Sequence, residues 1–299
     1  MRRVLLTGAS GFLGRPTLAA LVAAGFEVHA VARNPPAGAG HGAYWHATDL
    51  LNAAARRRLM EKVRPSHLLH LAWYVAHGKF WTAPENETWR AASLELARDF
   101  AREGGERMVA AGSCAEYDWK RSNTAAWKES DTCDPATPYG RAKYALYRSL
   151  EAEASKLGLS FAWARLFLMF GEGEDKRRLV PSLIDGLLAG KEVALGSPAP
   201  LRDFSDTRDI AAMLTALAAT DRVVGAVNVA SGRGVTIGQV GEIIAELTGA
   251  STAQLKFGAL PPRGEPSAMV ADIGRLGELA SRAPLEQRLM QQIALRRGR

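Results

Sequence analysis

A glycine-rich loop near the start of the chain constrains its fold more than any other feature of the sequence. The stretch TGASGFLG follows the apolar run Val4-Leu5-Leu6 and precedes a helical pattern at 15–24. A strand, a glycine loop and a helix in this order are typical of a phosphate-binding unit, because the free N–H groups at the helix start point toward an anion. The glycines allow a tight turn, a close approach of the backbone to a pyrophosphate and close helix–strand packing. The loop therefore predicts a dinucleotide site, with a purely structural turn as the alternative. The residues expected to contact the dinucleotide are Gly8, Ser10, Gly11, Phe12, Leu13 and Gly14.

Strand and helix patterns alternate through the first 170 residues. Apolar strand patterns occur at 4–7, 26–32, 67–72, 107–111 and 160–167, and helical patterns at 15–24, 50–63, 89–103 and 139–157. This alternation predicts an α/β fold with a Rossmann-type doubly wound parallel sheet. Residues 1–170 are assigned to a dinucleotide-binding domain, with elements returning to it near 203–230. Residues 171–202 and 231–299, where the pattern loosens, are assigned to a smaller C-terminal α/β substrate lobe.

Composition narrows the class of protein. Hydrophobic residues make up 47% and charged residues 23% of the 299 positions, which is ordinary for a soluble globular protein. No apolar run approaches a membrane span, and the glycine loop comes too early for a signal peptide, so we expect a cytoplasmic protein without a membrane partner. Two cysteines and the scattered histidines predict neither a disulfide framework nor a metal site.

The net charge of +7 raises the possibility of nucleic-acid binding. The basic residues, however, lie in dispersed short runs without interleaved aromatic residues, at 2–3, 56–58, 176–178 and 296–299. We interpret these runs as solvated faces and a loose C-terminal tail, so no nucleic-acid partner is expected. The charge favours anionic small molecules instead.

The end of the second predicted strand bears on the choice of cofactor. A carboxylate there would bind a ribose 2′-hydroxyl, but the chain has Ala32-Arg33-Asn34. Arg33 can pair with a 2′-phosphate, so NADP is predicted rather than NAD, unless Arg33 is only a solvated surface residue. Asp49, beside Leu50, is placed to accept a hydrogen bond from the adenine amino group, with a helix N-cap as the alternative.

Three residues form a candidate catalytic set. Tyr139 and Lys143 are four residues apart on a predicted helix, so that they share a face. The ammonium group favours the tyrosinate and makes the phenol a usable acid or base. Ser113 ends a buried strand and therefore faces the crevice where ligands bind in such sheets.

With these residues, the chain resembles an extended short-chain dehydrogenase/reductase of the NAD-dependent epimerase/dehydratase family, whose members act on nucleotide-sugars. The similar segments are TGASGFLG, HLAW at 70–73, the set Ser113, Tyr139 and Lys143, LRDFSDTRDIAAML at 201–214 and VNVASGRGVTIGQV at 227–240. The resemblance implies that Leu71 and Ala72 lie beside the cofactor. It also implies that Arg202 and Arg263 grip a substrate diphosphate, with surface ion pairs as the alternative.

Two departures from the family pattern affect the substrate side. Dehydratases of the family place an Asp-Glu pair after the serine or threonine, whereas here Cys114 and Ala115 follow Ser113, so dehydration is not expected. The family asparagine after the next strand is replaced by Leu168, which follows Phe167. The candidate substrate contacts are Trp73, Cys114, Ala115, Glu116, Trp119, Phe167, Arg202 and Arg263, with Trp81 as a weaker candidate. The alternative for the aromatic residues is loop packing.

Three functions are compatible with these observations. The first is an NADP-dependent ketoreductase acting on a nucleotide-activated keto-deoxysugar, with Tyr139 as proton donor. The second is a nucleotide-sugar epimerase with a tightly bound cofactor, and the third, a non-catalytic NADP-binding sensor, is disfavoured by the complete Tyr139 and Lys143 pair. The resemblance further implies a homodimer through the Tyr139 helix, which carries the apolar residues Ala145, Leu146 and Leu150.

Overall fold

The computed structural model describes residues 2–37, 42–121, 124–260, 266–280 and 283–298. Its strands are β1 (Arg3–Thr7), β2 (Glu27–Ala32), β3 (Ala43–Ala47), β4 (His67–His70), β5 (Arg107–Ser113), β6 (Ser160–Leu166), β7 (Leu168–Phe170), β8 (Val193–Ala194), β9 (Leu201–Asp206), β10 (Gly225–Val229), β11 (Gly234–Thr236), β12 (Leu255–Lys256) and β13 (Ala268–Met269). Its α-helices are α1 (Gly14–Ala23), α2 (Ala53–Val63), α3 (Glu85–Arg102), α4 (Pro138–Ala154), α5 (Leu179–Leu188), α6 (Thr207–Ala219), α7 (Ile237–Thr248) and α8 (Leu285–Arg297).

The main sheet has seven parallel strands in the order β10-β6-β5-β4-β1-β2-β3. The chain starts in the middle of the sheet, builds outward to β3 and then returns to add β4 and the strands beyond it. This confirms the predicted doubly wound α/β fold. The reversal of strand order lies between β1 and β4, and ligands of such sheets bind at the carboxyl ends of the strands at that point.

Helices cover both faces of this sheet, because alternate strand residues point to opposite sides. Within β1, Val4 and Leu6 pack in the core on the side of α1 and α6, whereas Leu5 packs on the side of α2, α3 and α4. All three residues are completely buried. The two cores hold the sheet rigid and fix the positions of the loops at its carboxyl edge.

The remaining elements form a second, smaller layer. Strand β9 pairs with β7 and β13 in parallel and with β11 in antiparallel orientation, and β8 pairs with β12. Helices α5 and α7 and residues Leu289 and Ile293 of α8 complete a separate apolar cluster here. The sequence pattern did not indicate α8 or the short strands β7, β9, β11 and β13.

Two arginines of the predicted solvated runs form ion pairs with other elements instead. Arg56 is buried, and its Nε donates to Oδ2 of Asp99 on α3 at 2.9 Å. Arg296 lies in α8 and pairs with Asp185 of α5 at 2.7 Å, so the predicted loose tail is a docked helix up to residue 297. No helix in the described part of the chain combines the length and the apolar character that a membrane span requires.

We expect Asp99→Ala to destabilise the protein by about 3–5 kcal/mol, because it leaves the buried Arg56 guanidinium without a counter-charge. Urea unfolding would measure this change in the free energy of unfolding. Glu87→Ala is the matched control: it removes an exposed ion pair with Arg90 on the same helix and should cost less than about 1 kcal/mol. Equal losses in the two variants would contradict the assignment of a buried pair.

Candidate active site

The glycine loop lies at the carboxyl end of β1 and is closed by its own backbone. The Gly11 N–H donates to the Gly8 carbonyl at 3.0 Å, and Gly8 has a φ of 69°. A Cβ at Gly14 would collide with the Gly8 carbonyl oxygen, and one at Gly8 would lie 2.9 Å from the Ala72 nitrogen. Leu13, which precedes α1, has no side-chain oxygen to cap the helix. The geometry therefore fits a pyrophosphate at the N-terminus of α1.

A buried hydrogen-bond network holds the end of β4 against this loop. The Thr7 hydroxyl accepts from the N–H groups of Leu71 and Ala72 at 3.1 and 3.2 Å. With both lone pairs used, it donates to Nδ1 of His70 at 2.8 Å, so that His70 Nε2 carries the proton toward Ser93. Burial lowers the pKa of His70 to about 3, and its ring is therefore neutral.

Two candidate adenine-end residues lie farther along the same edge. Arg33 directly follows β2 and is exposed. The end of β2 lies beside the glycine loop, because the Val31 carbonyl accepts a hydrogen bond from the Ala9 N–H at 3.4 Å. Asp49 is exposed, and its carboxylate accepts from the Leu51 N–H at 3.0 Å. The helix N-cap of α2 is Asn52, so the alternative interpretation of Asp49 as that cap is wrong. Leu50, which follows Asp49, is buried.

The three predicted catalytic residues converge at the ends of β5 and α4. Thr137 caps α4 and Pro138 follows in its first turn, which fixes where the helix begins. Ser113 lies close enough to Tyr139 to act on its phenol, and Lys143 lies one turn below Tyr139. Burial raises the pKa of Tyr139, and the Ser113 side chain opposes this rise. The phenol is therefore held in its protonated form.

Lys143 occupies a dry pocket. Its Nζ donates to the Ala111 carbonyl at 2.9 Å and lies 3.7 Å from the centre of the Trp73 ring. Burial lowers the pKa of Lys143 to about 7, while the negative charge of Glu116 opposes the change. Trp73 is buried, and its indole N–H donates to Asn86 at 2.9 Å. One face of the Trp73 ring is therefore taken up by the ammonium group, and its predicted substrate contact remains a prediction.

Other predicted substrate residues are covered by the protein. Ala115 and Phe167 are 2% and 4% exposed, and Glu116 is fully buried, where it pairs with Arg165 at 2.9 Å. Because Glu116 has no exposed surface, its predicted substrate contact is corrected, whereas the contacts of Ala115 and Phe167 remain predictions. Arg202 is 4% exposed and donates to the Pro266 carbonyl at 3.0 Å. Arg263 lies outside the described residues.

The aromatic candidates gather around Tyr139. Trp81 packs edge-to-face against both Tyr139 and Trp119, with ring centres 5.7 and 5.9 Å apart. The Trp81 carbonyl oxygen accepts a hydrogen bond from the backbone N–H of Tyr139 at 3.1 Å. The ring centres of Phe80 and Tyr139 are 4.9 Å apart. The indole N–H of Trp119 donates to the Cys114 carbonyl at 3.3 Å. Trp81, Trp119 and Cys114 are all half-buried.

Sequence reasoning missed Arg178 as a residue of this region. Its charge lowers the pKa of Tyr139, and its Nε pairs with Glu174 at 2.9 Å. Arg178 belongs to a basic run that the sequence pattern assigned to solvent, and only the fold brings it toward α4. Among the described residues no group of three or more His, Cys, Asp or Glu side chains is arranged to hold a metal ion.

Comparisons with known proteins agree with this geometry. The sequence matches the profile of the NAD dependent epimerase/dehydratase family over residues 4–230. A dTDP-6-deoxy-L-talose 4-dehydrogenase (NAD(P)(+)) from Kitasatospora kifunensis is 28% identical over 84% of this chain and 80% of its own length.

Solved structures give the same picture. MoeE5 in complex with UDP-glucose and NAD has a TM-score of 0.84, 28% identity and 99% coverage of both chains. The UDP-glucose 4-epimerase of Thermus thermophilus in complex with NAD has a TM-score of 0.86 and 23% identity, again covering 99% of both chains. At that identity the second likeness shows the fold alone.

The pKa of Lys143 predicts a pH-dependent stability. The pKa of Lys143 is about 7 in the folded protein, below the value of about 10.4 for an unfolded lysine. Between pH 7 and about pH 10, Lys143 has therefore lost its proton in the folded chain but keeps it in the unfolded chain. The free energy of unfolding of the wild type should therefore rise relative to that of Lys143→Met between pH 7 and about pH 10, by at most about 1.4 kcal/mol per pH unit.

Urea unfolding across this pH range measures the difference. Lys120→Met, which removes an exposed lysine beside Asp134, should show the same pH dependence as the wild type over this range. Parallel curves for the wild type and Lys143→Met would show that the Lys143 ammonium is not desolvated.

Proposed function

Because the chain belongs to the NAD dependent epimerase/dehydratase family, we propose that it is an NADP-dependent reductase that transfers a hydride to the keto group of a nucleotide-activated deoxysugar. The observation that carries the proposal is the convergence of Ser113 and Tyr139 near the buried Lys143, whose Nζ is fixed on the Ala111 carbonyl at 2.9 Å. This set lies at the same edge of the sheet as the glycine loop. A hydride donor and a proton donor can therefore act on one carbonyl group.

In this mechanism, bound NADPH supplies the hydride to the carbonyl carbon. Tyr139 donates its phenolic proton to the carbonyl oxygen, so that hydride and proton together convert the ketone to an alcohol. Ser113 holds that oxygen by a hydrogen bond. Lys143 binds the nicotinamide ribose and lowers the cost of the tyrosinate that remains. The raised pKa of Tyr139 suits a residue that starts as the acid.

The cofactor residues are proposed from their positions. The N–H groups around Ser10 to Gly14 would hold the pyrophosphate, and Leu71 and Ala72 would line the nicotinamide half. Asp49 and Leu50 would meet the adenine. Arg33 would pair with the 2′-phosphate, because an exposed guanidinium at the end of β2, where a carboxylate would bind a ribose hydroxyl, suits a phosphate better than a hydroxyl.

A nucleoside-diphosphate sugar is proposed as the substrate. The half-buried rings of Trp81 and Trp119 beside Tyr139 would pack on the apolar face of a sugar. Arg202 and Arg263 are proposed for the diphosphate, although the Arg202 guanidinium would then exchange its bond to the Pro266 carbonyl. The similarity to a dTDP-6-deoxy-L-talose 4-dehydrogenase supports a deoxysugar with a keto group at C4.

Glu116 and helix α4 bear on two other expectations, dehydration of the substrate and dimer formation. The buried pairing of Glu116 with Arg165 supports the view that Glu116 does not eliminate water from the substrate. A homodimer through α4 remains a proposal, and Leu146 and Leu150 would not form its contact, since both pack in the core of their own chain. Ala145 is exposed on the same helix.

The test of the proposed reaction is the loss of NADPH absorbance at 340 nm with a panel of nucleotide-linked 4-keto-6-deoxysugars. A stoichiometric loss supports the reductase. Stable absorbance, together with interconversion of nucleotide-sugar epimers without added cofactor, would replace the reductase with an epimerase.

We expect Tyr139→Phe to lower kcat by at least about 100-fold, because it removes the proton donor while keeping the ring that packs on Trp81. The affinity for NADPH should stay close to that of the wild type. Tyr144→Phe is the control: it removes a tyrosine hydroxyl on the same helix that contacts Arg148, and it should keep full turnover. Full turnover by Tyr139→Phe would disprove the catalytic assignment.

We expect Arg33→Ser to weaken NADP binding by about tenfold or more and to leave NAD binding nearly unchanged, since only NADP carries the phosphate that Arg33 would pair with. Isothermal titration calorimetry with both dinucleotides measures this. Arg58→Ser, which alters an exposed arginine of α2, is the control for a general change in surface charge. An equal loss for both dinucleotides would contradict the role of Arg33.

A further inference from the structure

Directly behind the catalytic serine lies a buried carboxylate. Strand β5 ends at Ser113, and a single turn of 3-10 helix, Cys114–Glu116, folds the Glu116 side chain back toward the strand. The carboxylate accepts the Ser113 backbone N–H at 2.7 Å, while the Ser113 hydroxyl accepts the Ala115 N–H at 3.1 Å. These reciprocal bonds fix both the main chain and the side chain of Ser113.

The next strand of the sheet completes the surroundings of this carboxylate. Trp163 Nε1 donates to both carboxylate oxygens at 2.9 and 3.0 Å, and Arg165 Nε donates at 2.9 Å. Gly112 makes room for the group, because a Cβ there would lie 2.7 Å from Oε1 of Glu116. Burial raises the pKa of Glu116, but every polar neighbour named here donates a hydrogen bond. An acid proton would have no acceptor among them, so Glu116 is the carboxylate.

The same carboxylate is linked to Lys143 through the Trp163 ring: Nζ of Lys143 lies 5.9 Å from the centre of that ring, whose Nε1 donates to Glu116 at 2.9 Å. Among the described residues, Glu116 is the charged group that opposes the desolvation of the ammonium. The other titratable group acting with Lys143 from a packed element is His70 of β4, which is neutral. The guanidinium of Arg165 faces the rings of Tyr117 and Tyr147, 4.8 and 5.4 Å from their centres.

We propose that Glu116 is a positioning residue of the active site, which orients Ser113 through its backbone N–H and supplies the counter-charge for the Lys143 ammonium. The catalytic part of this inference rests on the proposed function, whereas its electrostatic part does not. Glu116 itself touches neither substrate nor cofactor, since it is fully buried. It acts through Ser113 and Lys143, the two residues proposed to contact substrate and cofactor.

The electrostatic part is tested in the free protein, without any reaction. Carbon-13 labelling of lysine side chains gives an NMR titration in which the Lys143 signal is identified by its absence from Lys143→Met. We expect Glu116→Gln to lower the pKa of Lys143 by about half a unit or more, which is about a threefold loss in the ratio of ammonium to amine. The Ser113 amide proton should move upfield as its bond to a carboxylate is lost.

Two further variants make the result decisive. Asp99→Asn removes a carboxylate from the equally buried pair with Arg56 and should leave the Lys143 titration unchanged. The single variant leaves the buried Arg165 unpaired and so risks misfolding. The double variant Glu116→Gln/Arg165→Met removes both charges and serves as the substitute in that case. It should lower the pKa of Lys143 by less than Glu116→Gln does, because the loss of the Arg165 cation partly offsets the loss of the carboxylate beside it.

An unchanged Lys143 titration in the Glu116 variants, or an equal shift in Asp99→Asn, would overturn the proposal. With an active substrate, the loss of activity at high pH should also begin at a lower pH in Glu116→Gln, with kcat affected more than KM. If no nucleotide-sugar is turned over by the wild type, the NMR titration still decides on Glu116. The failure of the proposed reaction is therefore distinguishable from the failure of this inference.

Discussion

The carboxyl edge of the sheet is organised around a desolvated group, the ammonium of Lys143. A lysine in a dry pocket is unfavourable unless other groups replace the lost water. Here the Ala111 carbonyl, the face of Trp73 and the charge of Glu116 take that role. Each of these groups comes from a different segment around β4 and β5. The packing of those segments against one another therefore also stabilises the buried Lys143 side chain.

A second polar network joins distant parts of the chain to the main sheet. The side chain of Asn228 on β10 accepts from the Tyr117 hydroxyl at 2.6 Å and donates to the carbonyls of Trp127 and Asp272 at 2.7 and 3.1 Å. Asp203 of β9 accepts from the N–H groups of Ser231 and Gly232 at 3.0 and 2.9 Å. Such satisfied buried groups fix a geometry because any displacement leaves one of them unpaired.

The sequence predicted the main sheet well and the second layer poorly. The central strands β1, β5 and β6 are apolar runs bounded by turns, so that the hydrophobic pattern alone identifies them. In contrast, β7 and β13 have three and two residues, and only their pairing with β9 defines them. Helix α8 is rich in arginine and glutamine, and it is held by particular contacts such as that of Arg296 with Asp185.

The same limit applies to the active site. Motif spacing was sufficient to bring Ser113, Tyr139 and Lys143 together, because strand ends and helix faces follow directly from the local pattern. The depth of a side chain does not follow from that pattern. Glu116 and Trp73 were predicted to meet a ligand, but Arg165 and Lys143, which are distant in sequence, take up their polar and aromatic surfaces. Arg56 was assigned to solvent for the same reason, since its partner Asp99 lies on another helix.

The segment that contains Trp81 has two separable tasks. Its main chain receives the backbone N–H of Tyr139 and so holds the first turn of α4, whereas its side chain forms part of the aromatic wall. A carbonyl group is the same in every amino acid. Evolution can therefore exchange the side chain at position 81 and alter which ligands fit, while the main-chain hydrogen bond to Tyr139 stays available. A change in the length of this segment, in contrast, would shift both at once.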